Sequence, residues 1–79
     1  MKVTKGTEVF FTHRTGDVPR LCKVETIERV EVEGMKEGTP VDSIEWVGGT
    51  DGQWEHHAIF IISTGQWAHS RQITPYEIF

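Results

Sequence analysis

Turn-forming residues interrupt this chain so often that only short segments remain between them. Those segments are rich in β-branched and aromatic residues, not in helix formers. The breaks fall at Gly6, at Gly16-Asp17 with Pro19, across Gly34 to Pro40, at Gly48-Gly-Thr-Asp-Gly52, at Thr64-Gly65 and at Pro75. Such punctuation predicts five antiparallel strands, at 8–13, 20–33, 41–47, 54–63 and 66–73, with no helix longer than two turns. At 79 residues there is room for one domain, 1–79, with one core. An open sheet this rich in Val and Ile invites edge-to-edge aggregation, so a small closed or half-open barrel is the expected architecture.

Side-chain alternation assigns faces. Val9 and Phe11 share one side of the first strand and Phe10 takes the other. From 20 to 33, Cys22, Val24, Val30 and Val32 alternate against Lys23, Glu25, Arg29, Glu31 and Glu33, whereas Leu21 and Ile27 break the pattern. A bulge near Thr26 to Glu28 reconciles the two phases, because one extra residue shifts every later side chain to the opposite face. The Asp51-Gly52 pair is a hairpin signal. Ile59, Phe60, Ile61 and Ile62 are apolar on both faces, which fits a central strand or one covered by a partner, a homodimer included. The terminal Ile78-Phe79 pair is expected to pack, on this barrel or across such a dimer. The expected core is Val9, Phe11, Cys22, Val24, Ile44, Phe60, Ile62 and Ile73.

Two segments resemble the SH3-like small barrels of the Tudor and KOW sort. Lys5-Gly-Thr-Glu-Val-Phe-Phe11, a polar loop and Leu21-Cys-Lys-Val24 are similar to their first two strands. Gln66-Trp-Ala-His-Ser-Arg-Gln-Ile-Thr-Pro75 is similar to their closing strand and the turn after it. Together these cover under half of the chain. The resemblance implies an all-β, five-stranded antiparallel SH3-like barrel and a binding role. The acidic middle of the chain departs from the KOW pattern, which serves basic surfaces.

Composition narrows the function. A net charge of −4 argues against a general binder of phosphate backbones. The single cysteine, Cys22, excludes an intrachain disulfide and points to a reducing compartment. No apolar leader opens the sequence, and Ala58 to Ile62 is too short an apolar run to span a bilayer, so a soluble cytoplasmic protein is expected, without membrane attachment.

Catalytic and metal chemistry find little support. His13, His56, His57 and His69 lack ligand spacing, and His56 and His57 point to opposite faces of one strand. Cys22 beside Val24 reads as a small buried apolar thiol and not as a nucleophile. No serine sits in a nucleophile elbow, and no glycine loop leads plainly into a helix. Neither enzymatic activity nor a cofactor is expected.

Two features suggest binding. Trp54 and Trp67 directly follow turns, where an indole can be exposed for a protein interface, a base or a methylated cation. Glu28, Glu31, Glu33 and Glu37 form a negative ridge fit for a partner with a basic surface. The bland alternatives are core tryptophans and a solvated acidic face. The leading expectation is a non-enzymatic interaction module that regulates or inhibits a larger protein, a profile shared by adaptors and virus-encoded inhibitors. The alternatives are a Tudor- or KOW-like reader of nucleic acid or a modified peptide, and an accessory subunit of a larger assembly.

Overall fold

The protein, described over residues 1–48 and 53–78 in a computed structural model, is all-β, with two short 3₁₀ turns and no α-helix among those residues. The strands are β1 (Lys2–Thr4), β2 (Glu8–Phe11), β3 (Arg20–Val30), β4 (Thr39–Val41), β5 (Ser43–Gly48), β6 (Gln53–Trp54), β7 (His57–Ile62), β8 (Trp67–His69) and β9 (Ile73–Pro75). Every pairing is antiparallel. β1, β5 and β6 form one sheet in that order; the larger sheet runs β8-β7-β3-β2-β9, with β4 alongside β3. No ladder among the described residues joins β8 to β9 or one sheet to the other, so of the closed and half-open forms expected, the closed barrel is not formed and the strands lie in two antiparallel sheets.

The five expected strands are divided further. The first ends at Phe11, not His13, and the 20–33 strand ends at Val30. Val32, expected to face inward beside Val30, is 62% exposed in the loop that follows. The 41–47 strand is cut at Asp42. The 54–63 strand parts at Glu55-His56, leaving Trp54 in β6, and 66–73 is divided by a 3₁₀ turn, Ser70–Gln72. Pro75 lies within β9 and does not merely end a strand. The Thr12 N–H donates to the Gln72 carbonyl, so the position opposite Val9 is non-hydrogen-bonded and Pro75 loses no ladder bond.

β3 organises the molecule. Its first half pairs with β2, its second half with β4 on the same edge, and β7 occupies the opposite edge. The register slips between Val24 and Thr26, one step earlier than the expected bulge. Cys22 and Val24 face inward before the slip and Ile27 after it. The eight expected core residues are all buried, and Val3, Ile27, Ala58 and Ala68 join them in one cluster. β7 and β8 are joined by a tight turn in which Gly65 takes φ +82° and donates its N–H to the Ile62 carbonyl at 2.7 Å. The expected Asp51-Gly52 hairpin and the packing of Phe79 and of the Ile78 side chain lie outside what the structure describes.

β7 has apolar residues on both faces because both are used. Phe60 and Ile62 are fully buried in the core, while Ile59, on the other face, is only 2% exposed within the single chain. Four of its five apolar side chains are thus buried without a second copy; Ile61 is half-buried.

Candidate functional site

The outward face of β3, β7 and β8 carries Glu28 and Trp67, and the loop that leaves β3 carries Glu31, Glu33 and Glu37. Register sets the rows: Thr26, Ile61 and Trp67 lie side by side, as do Glu28, Ile59 and His69. Their neighbours Ile27, Phe60 and Ala68 point into the core, so these rows take the opposite face, where Thr26 and Trp67 are exposed and Ile59 is covered. Trp67 is 38% exposed, and its ring meets that of His69 edge to face, centroids 4.4 Å apart.

The acidic loop, residues 31–38, borders this face. It leaves β3 after Val30 and returns as β4 at Thr39. Gly38 ends it against Val30; a Cβ there would strike the Arg29 carbonyl oxygen and approach Val30 Cγ1 to 2.7 Å. Two tethers fix the loop. The Gly38 N–H donates to Glu28 Oε1 at 3.0 Å, and Glu33 Oε1 accepts from Arg71 Nε at 3.2 Å. Arg71 follows β8, and β7 separates β8 from β3, so the second tether draws the loop across the end of β7.

The four expected glutamates therefore divide. Glu28 and Glu33 serve the loop's own structure. Glu31 and Glu37 are exposed and make no ion pair or hydrogen bond among the described residues. Around them, Val32 at 62% exposure and Met35 at 45% put apolar surface amid the negative charge. In the sequence Val32 is expected to face inward, Ile61 reads only as part of a two-faced strand and His69 only as a candidate metal ligand, while Met35 and Arg71 draw no site reading. The Trp67-x-His69 spacing was the available signal, since residues two apart on a strand share a face.

Trp54 corrects the expectation of an exposed indole. It is half-buried over the core, and its Nε1–H donates to the carbonyls of Ser70 at 2.8 Å and Ile73 at 3.2 Å. Its ring packs edge to face on Trp46 at 4.9 Å and against Phe60 at 5.2 Å. Two of the three tryptophans thus hold the smaller sheet against the larger, and only Trp67 faces outward.

Among the described residues no group of three or more His, Cys, Asp or Glu is placed to hold a metal ion, and no helix is long and apolar enough to cross a membrane. Cys22 is buried, its Sγ 3.5 Å from the Arg20 carbonyl oxygen; burial pushes the thiol above its ordinary pKa, and the Arg20 charge opposes that rise. No family model matches the chain, no curated protein matches it, and no solved structure matches it at a significant level.

Proposed function

We propose that this chain is a non-enzymatic protein-interaction module that regulates or inhibits a larger partner through a basic surface on that partner. In this reading the outward face of β3, β7 and β8 and the acidic loop form one docking surface. The observation that supports it most is the position of Trp67: a partly exposed indole, braced on His69 and beside Ile61, on the face that the acidic loop borders. Interfaces draw most of their energy from such anchors, while rim charges set encounter rate and partner choice. We further read the order β8-β7-β3-β2-β9 as an SH3-like half-open barrel, with β4, β5 and β6 inserted between its β3 and β7 members and β1 paired to the insert. A buried lone cysteine suits a reducing, cytoplasmic setting.

The test compares two variants. Glu31→Lys with Glu37→Lys reverses the two glutamates that the fold leaves unpaired, and Trp67→Ala removes the anchor. Partners captured by the wild-type protein are purified, and their kinetics with wild-type and variant proteins are measured across ionic strength. The charge reversal should slow association by about tenfold at low salt and flatten the salt dependence. Trp67→Ala should act mainly on dissociation. Unchanged kinetics in both variants would overturn the proposal.

The exposed Trp67–His69 pair also favours a second reading, a stacking platform for a single-stranded base or a modified peptide. Under that reading an oligonucleotide quenches Trp67 fluorescence, and the charge reversal strengthens binding instead of weakening it.

A further inference from the structure

A second surface lies at the other end of β3, where the strand begins. An open groove of about 420 Å³ is lined there by Phe11, His13, Asp17, Val18, Arg20 and Gln66. Its walls are the β2–β3 loop and the turn between β7 and β8.

The lining is held in place. Asp17 Oδ2 accepts the Arg14 N–H at 3.2 Å, and the Asp17 N–H donates to the Arg14 carbonyl at 3.0 Å, closing the loop tip. The His13 carbonyl accepts from Gln72 Nε2 at 2.8 Å, and the His13 ring lies against Phe11 with centroids 6.1 Å apart. Gln66 Nε2 lies 3.5 Å from His13 Nδ1. An amide N–H given to Nδ1 leaves Nε2–H as the ring's donor toward the groove. Arg20 makes no ion pair among the described residues, so its guanidinium is unclaimed.

We propose that this groove binds the C-terminus of a peptide chain whose last side chain is apolar. Each lining group has a counterpart in that ligand. The Arg20 fork matches the terminal carboxylate, with His13 Nε2–H as a second donor. Asp17 Oδ1, which no donor among the described residues takes, matches the N–H of the last peptide bond. Phe11 and Val18, the latter 84% exposed, match the apolar side chain. Phosphate brings its charge against the Asp17 carboxylate as well as to Arg20. A simple amine meets Arg20. A carboxylate with an adjoining amide N–H satisfies both.

The experiment titrates ¹⁵N-labelled full-length protein with N-acetyl-leucine, N-acetyl-leucinamide and inorganic phosphate, following His13, Arg20 and Gln66 signals by NMR. N-acetyl-leucine should shift all three and saturate at millimolar concentration. The amide and phosphate should bind at least about tenfold more weakly. Arg20→Gln should weaken N-acetyl-leucine binding by about tenfold or more. Arg20→Lys, which keeps the charge and loses the fork, is read alongside in case the first variant is unstable. Asp17→Asn should erode the preference for an amide-bearing ligand. Equal binding of acid and amide, equal binding of phosphate, or undiminished binding in both Arg20 variants would overturn the assignment. The Glu31→Lys, Glu37→Lys protein should bind N-acetyl-leucine normally, so failure here and failure of the docking surface are separate results.

Discussion

The Gly38 N–H donates to Glu28 Oε1 at 3.0 Å, so an acid on β3 fastens the loop that carries the other acids. The lack of a side chain at Gly38 is equally necessary, because a Cβ would enter the space of the Arg29 carbonyl. Gly38→Ala should therefore destabilise the fold by about 1–3 kcal/mol, as overpacked sites do. Glu28→Gln retains the acceptor and should be near neutral, whereas Glu28→Ala should cost about 1 kcal/mol. Urea denaturation of the three variants checks the order; Gly38→Ala as stable as wild type would mean that the loop is not packed on Val30.

Trp54→Phe preserves a ring against Trp46 and Phe60 while deleting the donor shared by Ser70 and Ile73. The expected loss is about 1–2 kcal/mol, the worth of a partly buried hydrogen bond. In a domain of this size that lowers the melting temperature by about 4–8 °C per kcal/mol. Trp54→Ala should cost more, about 3–5 kcal/mol. Equal melting of the Phe and wild-type proteins would assign the indole's role to packing alone.

Phe60 is fully buried opposite Ile27 on one side and Ala68 on the other. Its truncation to Ala should cost about 3–5 kcal/mol, a large share of the stability of a small domain. Circular dichroism melts should show a protein unfolded or nearly so at 37 °C.

Cys22 gives the fold a pH dependence in the alkaline range. Burial raises the folded-state pKa of the thiol, only partly offset by the Arg20 charge. The stability linked to this shift is fully present below the unfolded-state pKa, near the ordinary value of 9.0, and is lost as pH rises through the folded-state value. Above about pH 9 the unfolded chain ionises more readily, so stability should fall; Cys22→Ala should remove that part of the slope. Urea melts at pH 7 and pH 10 on both proteins measure it. An identical pH slope in the two would show that the thiol does not contribute.

The core could be read from the sequence because alternation is a local signal. Val9 with Phe11, Cys22 with Val24, and Phe60 with Ile62 each lie two apart, and each pair is buried together. The shortest strands left no such trace. β1 has three residues and finds its partner, β5, through contacts such as Lys2 with Glu45, far apart in sequence. β6 has two residues, and alternation has no meaning over so short a span. Of the expected binding residues, exposure was legible for Glu31, Glu37 and Trp67, since each follows a turn or belongs to a charged run. The inward turn of Trp54 was not, because it depends on carbonyls some sixteen and nineteen residues further along.

The pairing of β2 with β9 also has a kinetic consequence. Val9 lies opposite Pro75 and Phe11 opposite Ile73, so the larger sheet is complete only when segments more than sixty residues apart meet. Until residues 73–75 are in place, β2 has one edge bare and Ile73 is missing from the core. The domain should therefore fold only once residues 73–75 are free to pair with β2. With so much of its pairing non-local, refolding should take milliseconds to seconds, not microseconds. During that interval the uncovered β2 edge would be the segment most open to mispairing, and the one on which a chaperone would act.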